Sequence, residues 1–151
     1  MLATLLEKDL VRFYDEALDW KEAVNLSCSA LLEHKIIDKT YVDSIIDCLN
    51  QYGPYIVIAP GIAMPHASQG GAGVYETAIS MTKIRKPVAF DATDPSKDVT
   101  LLFTLAAVDA DCHLENMQRL MDLLMNDEIV EQLQQANNID DVAAISKKYN
   151  K

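Results

Sequence analysis

An α/β domain, with helices on both faces of a mixed β-sheet, is predicted by three features of the sequence. Val99-Thr-Leu-Leu-Phe-Thr-Leu-Ala-Ala-Val108 is almost unbroken apolar, the pattern of a strand covered on both sides. Stripes at helical spacing occupy both ends of the chain, and short strand-like runs lie between them. Strands interleaved with helices pack as layers around one core.

Residues 10–14 (Leu-Val-Arg-Phe-Tyr) read as a short strand. Asp19 then opens a helix, and Glu22 three residues on completes a capping-box pattern. Trp20, Ala23, Val24, Cys28, Leu31 and Leu32 recur along it at helical spacing. A second helix follows Asp38, with Val42, Ile45, Ile46 and Leu49 as its buried stripe. Gly53 and Pro54 end it. Residues 55–59 are a strand, and 61–64 a second short extended piece. Residues 68–73 (Ser-Gln-Gly-Gly-Ala-Gly) form a glycine-rich loop without the Lys-Ser or Lys-Thr of a nucleotide cradle. Residues 77–84 alternate as a strand does. Residues 86–90 read as a separate edge segment, because Pro87 cannot donate to a central ladder. A polar loop over 91–97 leads to the apolar strand 99–108. Helices are expected at about 113–125, 127–136 and 139–149. The first carries Met117, Leu120, Met121, Leu124 and Met125 on one face, which reads as core packing.

The 151 residues fit one domain, 1–151, and half of them are hydrophobic, ample for a core at this size. A net charge of −10 argues against nonspecific nucleic-acid binding, which needs clustered Lys and Arg. No apolar run reaches the ~18 residues of a membrane span. Acidic residues arrive too early for a secretory signal, so a cytoplasmic protein is expected. Cys28, Cys48 and Cys112 are odd in number and widely spaced, which suggests neither a disulfide framework nor a zinc knuckle. Cys28 and Cys48 fall in helical apolar patterns and read as core thiols.

The residues most suggestive of chemistry are histidines. In Gly53-Pro-Tyr-Ile-Val-Ile-Ala-Pro-Gly-Ile-Ala-Met-Pro-His66 an apolar strand ends in a Pro-Gly turn, and His66 follows a proline of fixed φ. An imidazole on a stiff segment is a nucleophile at neutral pH. His113 lies where strand 99–108 gives way to a helix, with Asp109-Ala-Asp-Cys112 as the intervening loop. Sites collect beyond strand ends in open α/β sheets, so the two histidines meet in one crevice on this reading. The helix start beside His113 would offer amide groups to an anion. The residues alone leave other readings open. His66 as a surface residue, His113 as a helix cap, and a metal site with Asp109 or Asp111 all remain, the last without HxxxH or HxH spacing. His34, before Lys35 at a helix end, reads as a charge-dipole contact.

The stretch from Gly53 to His66 resembles the active-site region of the mannitol/fructose superfamily of enzyme IIA components of the phosphoenolpyruvate-dependent sugar phosphotransferase system. Its wording is closest to the L-ascorbate branch. Ala106-Ala-Val-Asp-Ala-Asp-Cys-His113 resembles the strand end that carries that superfamily's auxiliary histidine. The resemblance covers essentially the whole chain and implies the mannitol/fructose-type enzyme IIA fold. It implies that His66 accepts a phosphoryl group from HPr and passes it to a cysteine of a cognate enzyme IIB. Membrane enzyme IIC then carries the solute, L-ascorbate or a relative. His113 helps to position the phosphoryl group. No metal, nucleotide or other cofactor is implied, nor any nucleic-acid partner, and a homo-oligomer is compatible with the sequence. Two departures stand out. Ala67 follows His66 where many members have glycine, and Asn50, Gln51 and Tyr52 stand where those members place an arginine. His113 and backbone amides near His66 are left to meet the phosphoryl charge. Two competing readings remain: a phosphohistidine module that regulates a partner without moving solute, and a metal-dependent hydrolase using both histidines.

Overall fold

A computed structural model describes residues 1–67 and 72–151. Chain order is α1 (Leu2–Glu7), β1 (Val11–Tyr14), α2 (Trp20–Glu33), α3 (Lys39–Tyr52), β2 (Val57–Ala59), β3 (Gly61–Ala63), β4 (Ala78–Ala89), β5 (Asp98–Ala106), α4 (Ala110–Leu124), α5 (Asp127–Gln135) and α6 (Ile139–Tyr149). The five strands form one sheet in the order β1-β4-β5-β3-β2. β1 runs parallel to β4 and β3 parallel to β5, while β4–β5 and β2–β3 are antiparallel. The sheet is mixed.

Side chains of β4 and β5 show that both faces are covered. Ser80 and Thr104, a cross-strand pair, reach Ser27 of α2: Ser80 Oγ donates to its carbonyl and Thr104 Oγ1 to its hydroxyl. Lys83 and Leu101 pair three residues further along and so point to the other face. There Lys83 Nζ donates to the carbonyls of Gln134 and Ala136 at the end of α5. Residues 101–106 of β5 are accordingly all buried, as an apolar run predicts.

Local chemistry explains most boundaries. Asp19 accepts from the Glu22 amide at 2.9 Å, and Asp38 caps α3 through Thr40. Gly53 closes α3 at φ 78°. Gly61, at φ 80°, turns β2 into β3, and an added Cβ would meet Gln134 Nε2 at 2.9 Å.

The structure corrects five expectations. Residues 2–7 form α1, which the sequence reading left unassigned. Residues 77–84 and 86–90 belong to one strand, β4; Arg85, Lys86 and Pro87 are exposed where its pairing to β5 shifts register. Pro87 is tolerated there because no ladder bond needs its missing N–H. Strand β2 begins at Val57, since residues 54–56 turn. Helix α4 begins at Ala110, so residues 110–112 are its first turn and no loop. The expected apolar face of α4 is core only in part: Leu120 is buried with Asn116 and Leu123, and Met117 and Leu124 pack against the core, whereas Met121 and Met125 are exposed. The glycine-rich loop falls largely on residues 68–71, outside the described residues.

Candidate active site

β3, parallel to β5, leads His66 to the end of the sheet beside Leu105. Every residue from 64 to 67 is pinned by its backbone. The Met64 amide donates to Ile56 O at 2.8 Å, and the Leu105 amide donates to Pro65 O at 3.0 Å. Tyr55 Oη donates to the His66 carbonyl. The Ala67 amide donates to Tyr41 Oη at 3.4 Å, and that hydroxyl donates to Leu105 O at 2.6 Å. A proline and four tethers leave the segment little freedom.

The ring of His66 is fixed as well. Its Nδ1 lies 2.6 Å from the Met64 carbonyl, which can only accept. Nδ1 therefore carries the proton, and in the neutral ring Nε2 holds the lone pair. Tyr55 packs edge-on against the imidazole, centroids 5.2 Å apart at 82°. Burial holds the His66 pKa below the ordinary imidazole value; the Met64 carbonyl opposes this and His113 adds to it. Burial lowers His113 too.

His113 stands in the first turn of α4, its ring centroid 5.3 Å from that of His66 with planes tilted by 36°. The pairing expected from two strand-end histidines is present. The route differs from the expectation. Asp109 caps α4, its carboxylate accepting from Cys112 N at 2.8 Å, and the His113 amide is bonded to Asp109 O. The helix start thus already holds an anion of its own. Asn116, one turn on, anchors α4 to the sheet by donating to Ala106 O at 2.9 Å and Ala78 O at 3.3 Å.

Tyr41, Tyr55 and Asn116 are site residues that the sequence reading passed over. Tyr55 lay inside the motif, and a tyrosine in an apolar stripe signals a hydroxyl seeking a partner. Asn116 gave no signal, because a polar residue next to Glu115 on a helix looks exposed. His34 caps α2 as expected at a helix end, and its Nε2 lies 3.1 Å from Asp9 Oδ2, remote in sequence from the pair. Cys28 is a core thiol pushed up to about 12 by burial, while Cys48 is half-buried and neighbours Tyr55.

Cations are absent from the segments that carry the two histidines and their tethers: residues 40–82 and 98–118 hold neither Lys nor Arg. Lys83 pairs with Leu101 while Pro65 is bonded to Leu105, which puts Lys83 about 13 Å along the sheet. For a metal, the described residues bring together no three His, Cys, Asp or Glu side chains.

A mixed sheet between helical layers, with paired histidines at one end, defines an α/β domain of the enzyme IIA kind. Residues 4–149 match the family described as "Phosphoenolpyruvate-dependent sugar phosphotransferase system, EIIA 2". The mannitol-specific cryptic phosphotransferase enzyme IIA component of Escherichia coli K12 is 39% identical over 129 residues, covering 85% of this chain and 86% of that protein. The ascorbate-specific PTS system EIIA component of the same strain is 36% identical over 131 residues, covering 86% and 84%. The solution structure of the Escherichia coli mannitol-specific cryptic enzyme IIA, CmtB, superposes with a TM-score of 0.84 at 35% identity, over 95% of this chain and 96% of that one. The chain belongs to the EIIA 2 family of the sugar phosphotransferase system, whose components are phosphotransferase relay proteins. Its relatives include both mannitol-type and ascorbate-type components.

Proposed function

We propose that residues 1–151 act as one cytoplasmic enzyme IIA domain in which His66 accepts a phosphoryl group from HPr and passes it to a cysteine of a cognate enzyme IIB. Uptake of L-ascorbate or a related solute through enzyme IIC follows. The observation that supports this most directly is the 2.6 Å contact between His66 Nδ1 and the Met64 carbonyl. It leaves Nε2 as the nucleophile. The Nε2 lone pair bonds to phosphorus as the donor's own bond to phosphorus breaks. The proton stays on Nδ1, donated to Met64 O, and that carbonyl offsets the positive charge the ring acquires. In the second half-reaction the enzyme IIB thiolate attacks phosphorus, the N–P bond breaks, and its electron pair returns to Nε2. Transfer through a loose transition state needs alignment and charge stabilisation more than covalent machinery. The tethers on residues 64–67 supply alignment. His113, its ring beside that of His66, serves as a hydrogen-bond donor to the phosphoryl oxygens.

The test is label transfer from radioactive phosphoenolpyruvate through enzyme I and HPr. Wild type should gain acid-labile label and His66→Ala none, while His113→Ala should label more slowly, by about 10- to 100-fold. Label on a folded His66→Ala variant would remove the assignment.

A further inference from the structure

A cavity of about 360 Å³ lies between α1, the beginning of β4 and α4, within the ~300–1,000 Å³ range of small-molecule sites. Leu5, Leu10, Ile79 and Leu123, all buried, form its apolar wall. Asn116 borders the same space and is only 3% exposed. Its Nδ2 donates to Ala106 O at 2.9 Å and to Ala78 O at 3.3 Å. Both partners are carbonyls, which only accept, so the amide cannot be turned round. Its Oδ1 is then left without a donor among the described residues. No side-chain oxygen or nitrogen among them is both sealed from outside and unpartnered, so Oδ1 opens onto the cavity. A carbonyl in such a place calls for an O–H or N–H.

The mouth of the cavity is basic, in a chain of net charge −10. Lys8, Arg119 and Lys151 line it and are exposed, against one lining carboxylate, Asp122. Lys8 shares its charge with Glu76 at 3.6 Å, and the Met1 ammonium donates to Lys151 O. Among the described residues, the Arg119 and Lys151 side chains pair with no carboxylate. Asn116 and Arg119, three residues apart, share one face of α4 with Cβ atoms about 5–6 Å apart. One ring can therefore reach from the lone oxygen to the guanidinium.

We propose that this cavity binds a small aromatic carboxylate bearing a phenolic hydroxyl at the end remote from its acid group. The hydroxyl donates to Asn116 Oδ1, the ring fills the space along Leu5, Leu10, Ile79 and Leu123, and the carboxylate meets Arg119 and the flanking lysines. A flat ring orders at little entropic cost. A neutral donor suits the apolar wall, where an ammonium would lose its hydration for one acceptor. The site is independent of the relay through His66, although Asn116 also fastens to the sheet the helix that carries His113.

The test is an NMR titration of the intact, isotope-labelled chain with para-hydroxyphenylacetate. Amides of Leu5, Ile79 and Leu123 should shift saturably, with a Kd of about 1 mM or below. Phenylacetate, which lacks the hydroxyl, should bind about 5- to 10-fold more weakly. Para-ethylphenol, which lacks the acid, should lose at least about tenfold. Arg119→Gln, at an exposed position outside the tethers of His66, should weaken both carboxylates by at least about fivefold and leave para-ethylphenol unchanged. The absence of saturable shifts up to about 10 mM overturns the proposal. So does equal affinity for phenylacetate, or wild-type affinity in Arg119→Gln. Shifts confined to residues 64–67 and His113 overturn it too, by placing the acid at the histidine pair. Phosphorylation of His66 plays no part in the titration, so failure here leaves the relay standing, and failure of the relay leaves this site standing.

Discussion

With the Met64 carbonyl on Nδ1 and burial around the ring, His66 resists protonation more than a free imidazole does. Its pKa and that of His113 lie below the ordinary imidazole value of 6.5, mainly because both rings are desolvated. The unfolded chain therefore takes up these protons first as pH falls. The neutral pair's contribution to stability is complete above about pH 6.5 and is lost as pH drops through the lower folded values. Acceptance of phosphate should stay flat from pH 8 to below 6.5 and decline only there. A ring-nitrogen NMR titration checks this, and a His66 midpoint at or above 6.5 would contradict it. Tyr55→Phe keeps the ring packed on His66 but removes the donor to the His66 carbonyl. A lost hydrogen bond of about 1 kcal/mol should slow acceptance by about fivefold. Unfolding temperature reports any structural share, and the Nδ1–H population by NMR isolates the effect on His66. The stiff segment that carries His66 was legible from the sequence, because a proline and a Pro-Gly turn mark it. Its tethers were not, since they come from Tyr41 and Tyr55, and Tyr41 lies 25 positions away on another helix.

Capping and periodicity made α2, α3, α5 and α6 readable, since Asp19, Asp38 and the period of apolar residues act locally. Helix α1 escaped because six residues give too short a window for a period, and its tertiary packing decides its state. Strand β4 was read as two pieces because Pro87 looks like a stop, whereas the register shift beside it makes the proline harmless. On α4 the apolar spacing was read correctly as helix, and Leu120, Met117 and Leu124 do face the core, but Met121 and Met125 turn outward. A helix bordering a site buries one flank and spends another elsewhere, and periodicity alone cannot say which is which. The junction between α3 and the turn after residue 71 supplies a test at this scale. Gly73 has φ 80°, and a Cβ there would meet Asp38 Oδ1 at 2.4 Å and the Tyr41 amide at 2.7 Å. Gly73→Ala should cost about 1–3 kcal/mol from backbone strain and the displaced α3 start. It should also weaken phosphate acceptance, because Tyr41 tethers Ala67 and Leu105. Urea denaturation measures the first effect; a wild-type midpoint would show that α3 yields freely.

For the molecule as a whole, the net charge of −10 was visible in composition, yet composition could not locate it. Several cations are engaged far from the crevice in sequence. Arg85 pairs with Asp15, Lys86 with Glu16, and Arg12 with Asp9 and Glu33. Residues 40–82 and 98–118 hold neither Lys nor Arg, and the start of α4 carries Asp109, Asp111 and Glu115, although Lys8, Arg119 and Lys151 line a pocket with Thr77, Ala78 and Asn116 nearby. A negative field of this kind acts on an approaching partner over roughly 30 Å at 0.01 M salt and only about 8 Å at 0.15 M. Steering changes the encounter rate and leaves the chemistry untouched. Transfer from phosphorylated HPr should therefore lose efficiency between those two salt concentrations, by several-fold in kcat/KM, while kcat holds. Phosphoramidate supplies the internal standard, since its access to Nε2 requires no docking between proteins. Stopped-flow transfer at the two ionic strengths decides the matter. Equal efficiencies would mean that the charge at this end of the sheet faces solvent in the encounter and does not guide it. A fall in kcat as well would place a charge in the transition state, supplied across the interface by the partner.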